Sequence, residues 1–436
     1  MKTNIGQDDE PLSRQFSVVA LWLLVINGII GAGIFGVPSR AAELLGAYSP
    51  IAFVLCGLLM LPIMLCFGEV SSYFRGTGGP ILYTREAFGR VAGFQTGWTF
   101  YVARMMAFAA NINLLVSTLG YFVPGIDQGA SRLAILFLIC ASLVWVNVIG
   151  ARQAMRSLGV LTLLKMLPLV VLVAVGIWNV PPAFLPEPQA LAPGMSEWGT
   201  ALIILVYAFV GFESGLVPAA EARDPQRDMP RALIWALIVA TLLYGLVQAL
   251  AVAVLPDLAS SKRPLVDVAA VLMGPAGAAL VMAGIIASVG GNVAGAMLST
   301  PRASYMLARE GSLPQWFAGV HPRYKTPSRS VIFFGAAAFV LAAYGSFTWL
   351  ASMSVLSRLL IYLLCIAAIP RLRSKFGEDK ARFHLPGGYL IPLCGAAVCL
   401  WLLSQVSLDA VMSTALFLVV GTVLYLLARR EKAGDS

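Results

Sequence analysis

The sequence predicts an all-α polytopic membrane protein with twelve transmembrane helices. Three observations carry this reading. Of 436 residues, 59% are apolar and only 12% charged, against roughly 25% charged in a soluble domain, and the mean hydropathy is +0.84. Apolar runs follow one another almost end to end, and a helix needs about 20 such residues to cross a hydrocarbon core of about 30 Å. Two of the runs are interrupted by glycine at positions 180 residues apart, Gly31 and Gly211. This composition excludes a soluble enzyme, a disordered chain and a disulfide scaffold.

Between polar and Gly/Pro punctuation the spans fall near 16–37, 47–72, 90–122, 132–150, 157–179, 198–218, 231–255, 270–300, 330–346, 348–370, 388–405 and 408–428. The first run follows Asp8, Asp9, Glu10 and Arg14, exceeds signal-peptide length and has no A-x-A-like site, so it is retained. An even number of spans leaves both termini on one side. That side carries 23 of the 30 Lys and Arg residues, with four opposite (Arg40, Arg132, Lys262, Arg263) and three inside spans, which makes it cytoplasmic. The net charge of +9 therefore reports topology and not nucleic-acid binding. Two His and six scattered Cys, without CxxC or HExxH, give neither metal-ligand spacing nor a disulfide framework. Free thiols, no metal and no cofactor are expected.

Gly31, Val37 and Pro38 fall on Gly211, Val217 and Pro218 at the 180-residue offset. With five spans between them, the second copy enters the membrane from the opposite face, as in an inverted repeat. Paired interrupted helices in corresponding halves point to a midplane binding site; the plainer alternative is two kinks used for packing. The run Gly28-Ile-Ile-Gly31-Ala-Gly33-Ile-Phe-Gly36 also spells GxGxxG, but it lacks the strand, helix and acidic residue of a dinucleotide fold. Its glycines instead let a helix unwind, aiming free N–H groups at a carboxylate. Tyr207-Ala-Phe-Val-Gly211-Phe-Glu213-Ser-Gly215 supplies the complement, with freed carbonyls for an ammonium group and Tyr207, Phe209 and Phe212 as aromatic walls. Together the two breaks describe a site for a zwitterion.

Of the ionisable residues inside spans, where each costs at least about 2.5 kcal/mol on insertion scales, four are worth weighing: Arg104, Lys165, Glu213 and Arg358. Lys165, about eight residues into the fifth span, either snorkels to the surface or stands in for a bound cation and exchanges protons. Glu213 lies in the second break and is either a proton carrier or the fixed partner of Arg104 or Arg358. Arg104 either binds an anion or partners a carboxylate. Arg358 has no assignment from sequence.

Four stretches resemble the amino acid–polyamine–organocation (APC) transporter superfamily over almost the whole chain. They are Gly31-Ala-Gly-Ile-Phe35, FGEVSSYFRGTGGPILYTREAFG (67–89), GFESGLVPAAEARDPQRDMPRA (211–232) and LSTPRASYMLAREGSLPQWFAGVHPRYKTPSRS (298–330). The resemblance implies a five-plus-five inverted-repeat fold with broken helices one and six, plus two extra helices. It divides the chain into a cytoplasmic tail (1–15), a transport core (16–370, with repeats 16–180 and 198–370), two additional helices (371–430) and a second tail (431–436). It also implies alternating access, with spans one, two, six and seven rocking against the rest.

Carried over by motif, Gly31, Ala32, Gly33 and Ile34 match the carboxylate-binding break, with Ala32 where many members have Ser. Val210, Gly211 and Phe212 match the amine-binding break. Lys165 matches a lysine that replaces sodium in several members, and Glu213 is similar to the proton-sensing acid of certain antiporters. Tyr207 stands where those antiporters keep tryptophan, and Arg104 where they keep a small uncharged residue. An arginine there would repel cationic substrates. The expected protein is not an enzyme but a secondary transporter in the cytoplasmic membrane, taking up neutral amino acids with protons. The alternatives are an exchanger or exporter and, in a different class, a sensor or channel. Its partners would be an amino acid, protons and the lipid bilayer.

Overall fold

The computed structural model describes residues 17–74, 78–149, 158–180, 192–216, 222, 224–377 and 383–434. Among them sixteen α-helices and no sheet are formed. In chain order they are α1 (Val18–Ile29), α2 (Ala32–Gly36), α3 (Pro38–Leu45), α4 (Ser49–Ser72), α5 (Pro80–Phe88), α6 (Arg90–Leu119), α7 (Gly129–Ile149) and α8 (Leu158–Asn179). The second half comprises α9 (Met195–Phe209), α10 (Glu213–Leu216), α11 (Pro225–Val254), α12 (Pro264–Arg309), α13 (Ser328–Tyr344), α14 (Phe347–Phe376), α15 (Leu390–Ser404) and α16 (Leu408–Gly434). Among the described residues nine helices are long and apolar enough to cross a membrane. Side chains such as Phe137, Trp145, Leu416 and Leu426 are exposed on α7 and α16, where only lipid would make such a surface stable. The molecule is a multi-pass α-helical membrane protein.

Two helix interruptions position the site. At the first, α1 stops at Ile29, Gly31 is extended (φ −135°, ψ −150°), and the chain resumes as α2. At the second, α9 stops at Phe209 and Val210 is extended. Gly211 then takes φ 109°, a left-handed value that favours glycine, before α10 begins. The residues of the 180-residue match beyond these turns, Val217 and Pro218, lie outside the described residues, as does the 1–15 tail.

The interrupted helices press against α4 and α11; α6, α12 and α14 pack beside them, and α13 packs on α6, α7 and α12. Close approach is built from small residues, as expected where no aqueous hydrophobic force drives helices together. A Cβ on Gly57 of α4 would lie 2.2 Å from Thr241 Oγ1 of α11.

Three features differ from the sequence reading. A short helix, α5, follows the second span, started by Pro80 at its first position. The apolar stretch 270–300 belongs to a longer run, Pro264–Arg309, which kinks where Gly274 adopts φ 66° ahead of Pro275. At the C-terminus α16 continues through 431 to Gly434, into the expected tail.

Candidate functional site

Where α1 stops, four carbonyls lose the amide partners that a continued helix would give them. Ile26 O keeps its helical partner, Ile30 N–H (2.8 Å); beyond it, Ile29 O accepts from the Tyr244 hydroxyl of α11 (3.2 Å), and Asn27 O and Ile30 O accept from Lys165 Nζ of α8, each at 2.6 Å. Lys165 is 1% exposed and has no carboxylate partner among the described residues. Its ammonium is held by the carbonyl end of a half-helix, where the macrodipole is negative. It does not snorkel.

The second interruption is held by its own carboxylate, which is paired with a cation from another helix. Gly211 N–H, which a continued α9 would have given to Tyr207 O, donates to Glu213 Oε2 at 2.9 Å. The same oxygen accepts from the Tyr362 hydroxyl (3.0 Å), and Oε1 accepts from Arg358 Nε (2.6 Å), both on α14. Arg358 also donates from Nη1 to Ser354 Oγ, Ser354 O (3.3 Å) and Ala103 O (3.4 Å). Of the two partners that the sequence offered Glu213, the one in place is Arg358. Tyr362, which sequence reasoning missed, lies four residues further on the same face of α14, a spacing that could have flagged it.

The two breaks touch each other through backbone. A Cβ on Gly28 would lie 2.3 Å from Gly211 O, one on Gly211 would lie 2.2 Å from Gly28 O, and one on Gly33 would lie 2.4 Å from Ala208 Cα. A Cβ on Gly31 would meet Asn292 Nδ2 of α12 at 2.8 Å. Ala32 and Ile34 are buried at the start of α2, and Val210 is buried in the extended link of the second break.

The expected aromatic walls separate into different roles. Tyr207 meets Phe347 edge to face (centroids 5.7 Å), with its hydroxyl 3.5 Å from Ala107 O. Phe209 packs on Tyr244, and Phe212 packs between Phe67 and Tyr362. Arg104 makes no hydrogen bond to either break among the described residues: its Nε donates to Thr300 Oγ1 and its Nη2 to Ser299 Oγ of α12, each at 2.9 Å, with the Phe100 ring beneath it. Helix spacing alone could not reveal Ser299 and Thr300, almost two hundred residues away. Among the described residues all six cysteines are free, and no group of three or more His, Cys, Asp or Glu could hold a metal.

Touching helix breaks lined by backbone, within a polytopic apolar bundle, define a membrane transport protein of the α-helical carrier class. The sequence profile of the amino acid permease family matches residues 16–427, and the chain belongs to that family. It is a secondary transporter of amino acids. The chain is 28% identical to the methylthioribose transporter of Bacillus subtilis (strain 168), over 96% of this chain and 94% of that protein. It is 26% identical to a branched-chain amino acid permease of the same organism (97% and 94% covered) and 24% identical to its serine/threonine exchanger (95% and 96% covered).

Proposed function

We propose that the protein takes up neutral amino acids across the cytoplasmic membrane together with protons, by alternating access, with both termini in the cytoplasm. The observation that carries this reading is the Lys165 ammonium at the carbonyl end of α1. It stands where a driving cation would bind, and it can release a proton where a metal ion would dissociate. Losing that proton removes the charge attracted to the helix end, which frees α1 to shift relative to α8. The start of α2, at Gly31, Ala32, Gly33 and Ile34, receives the substrate carboxylate. The carbonyls around Val210, Gly211 and Phe212 receive its ammonium, and Tyr207 flanks it. Arg104 sets a positive potential that disfavours cationic side chains.

The nine long apolar helices and three shorter ones at Lys165–Asn179, Ser328–Tyr344 and Leu390–Ser404 support a count of twelve spans. The two breaks support the inverted repeat in a further way. Each is held by a cation from the last span of its own half, Lys165 on α8 for the first and Arg358 on α14, through Glu213, for the second. In this reading residues 16–180 and 198–370 are the repeats and 371–430 the two added helices.

The test is uptake of radiolabelled neutral amino acids into proteoliposomes, with and without an inward proton gradient. Gradient-driven accumulation is expected in the wild type, and Lys165→Ala should bind substrate yet lose the stimulation. Glu213→Gln measures whether the second break shares in coupling. Stimulation that survives in both variants would remove the proton assignment. Uptake seen only with amino acid preloaded inside would make the protein an exchanger, as the name of the serine/threonine relative describes that protein.

A further inference from the structure

Helices α6 and α12 run antiparallel and keep step. A Cβ on Gly97 of α6 would lie 3.8 Å from Leu307 Cδ1 of α12, and seven residues further along α6, Arg104 Nε donates to Thr300 Oγ1, seven residues back along α12. One more such step, about 10 Å at 1.5 Å per residue, brings Asn111 level with Asn292 and Val293. The short α2 packs against α6, α9 and α12, and a Cβ on Gly31, just ahead of it, would meet Asn292 Nδ2 at 2.8 Å. One turn from Asn111 on α6, Ala107 O accepts from the Tyr207 hydroxyl of α9 at 3.5 Å. Asn111 is thus set among the elements that bound the first break. Neither Asn111 nor Asn292 makes a side-chain hydrogen bond among the described residues. Asn111 is 7% exposed with its Oδ1 orphaned, whereas Asn113, two residues on, is engaged at both ends, donating to Ala342 O and Gly345 O and accepting from Arg132. Room lies beside the two free amides, since a Cβ on Gly295, between Asn292 and Ser299 on α12, would meet nothing within 4 Å.

We infer that Asn111 and Asn292 read the substrate side chain and select neutral amino acids that carry a hydroxyl or a carboxamide. A buried amide without a partner has given up its water and received no hydrogen bond in exchange, and a ligand that supplies the missing bond removes that penalty. Hydroxyl and carboxamide groups both donate and accept, so either can bridge the amide on α6 to the amide on α12. An apolar side chain of the same size fills the space but leaves both amides unmatched. The site therefore rejects it more sharply than a hydrophobic pocket rejects a missing methylene. A charged side chain would be desolvated there against two neutral groups. The inference rests on the neutral-amino-acid reading above and narrows it to one class of side chain.

The test is equilibrium binding of radiolabelled amino acids to the full chain in lipid nanodiscs, read in near-isosteric pairs: L-threonine against L-valine, L-asparagine against L-leucine, and L-serine against L-2-aminobutyrate. The hydrogen-bonding member of at least one pair is expected to bind roughly tenfold tighter, a difference of about 1.4 kcal/mol. Asn111→Leu and Asn292→Leu should each bring that ratio toward one while the apolar member still binds, which shows that the variants are folded. Equal binding within every pair, or a ratio undiminished in both variants, overturns the side-chain assignment and leaves the transport reading in place. The wild-type ratios decide the first point without any variant, and Asn111→Ala and Asn292→Ala take the place of a leucine variant that fails to fold. L-lysine and L-glutamate complete the panel. Binding confined to those two removes the neutral-amino-acid reading, and the side-chain assignment with it.

Discussion

Gly28, Gly33 and Gly211 occupy positions where any side chain would enter the backbone of the facing break. Overpacking of this kind costs about 1–3 kcal/mol where neighbours can move, and backbone moves less readily than a side-chain tip. Gly33→Ala and Gly28→Ala are therefore expected to lower the melting temperature of the purified protein and to abolish transport by forcing the breaks apart. Gly290 and Gly295 on α12 face open space. Gly290→Ala should leave stability unchanged or raise it by up to about 1 kcal/mol, the helix-propensity difference. Thermal melting of the three variants checks this contrast, and equal melting of all of them would show that the breaks do not touch as described. The sequence marked the glycines of both breaks; which atoms they make room for depends on a partner 180 residues away.

Between elements, the ion pairs at the ends of α4, α5 and α14 differ in weight. Glu69 on α4 is fully buried and meets Arg373 of α14 in a bidentate pair (2.7 and 2.8 Å), and it also accepts from Leu385 N–H at 3.0 Å. Arg373 further donates to Gly388 O (2.9 Å) and lies over the Tyr389 ring. One carboxylate thus ties α4, α14 and the segment leading into α15. The Lys375–Glu86 pair, between α14 and α5, is partly exposed. Removing one partner of a buried pair costs about 3–5 kcal/mol, and an exposed pair contributes about 0–1 kcal/mol. Glu69→Gln should therefore lower the melting temperature far more than Lys375→Ala, and Arg373→Lys should not restore it, because an ammonium cannot make the bidentate contact. The sequence shows Glu69 only as an acid near a span end; its depth and partner come from how α14 lies across α4.

For the whole molecule, the central result is that Lys165 of α8 donates to the carbonyls of the first break, while Glu213, paired with Arg358 of α14, accepts from the second. The Glu213–Arg358–Tyr362 node predicts a specific non-additivity. Arg358→Ala leaves the Glu213 charge buried without a guanidinium, and Glu213→Gln leaves the guanidinium without a carboxylate. The double variant Glu213→Gln/Arg358→Ala is expected to be more stable than Arg358→Ala alone by about 1–3 kcal/mol. A double-mutant cycle on melting temperature measures the coupling, and strict additivity would mean that the two side chains do not pair in the membrane.

The sequence by itself determined the class of molecule. Its low charge and successive apolar runs fit only a polytopic helical membrane protein, because in lipid every backbone group has to be satisfied within helices. Periodicity and Gly/Pro punctuation marked the long apolar helices and the glycines of both interruptions, since these are local properties of the chain; the short α5 and the full length of α12 were not legible there. The tertiary structure decided the partners. It gave Lys165 two carbonyls of α1, gave Glu213 to Arg358 in place of Arg104, placed Arg104 on the hydroxyls of Ser299 and Thr300, and turned Phe212 into packing against Phe67. A charge inside a membrane announces that it must be satisfied; which group satisfies it is set by the crossing of helices far apart in sequence, and no local pattern encodes that.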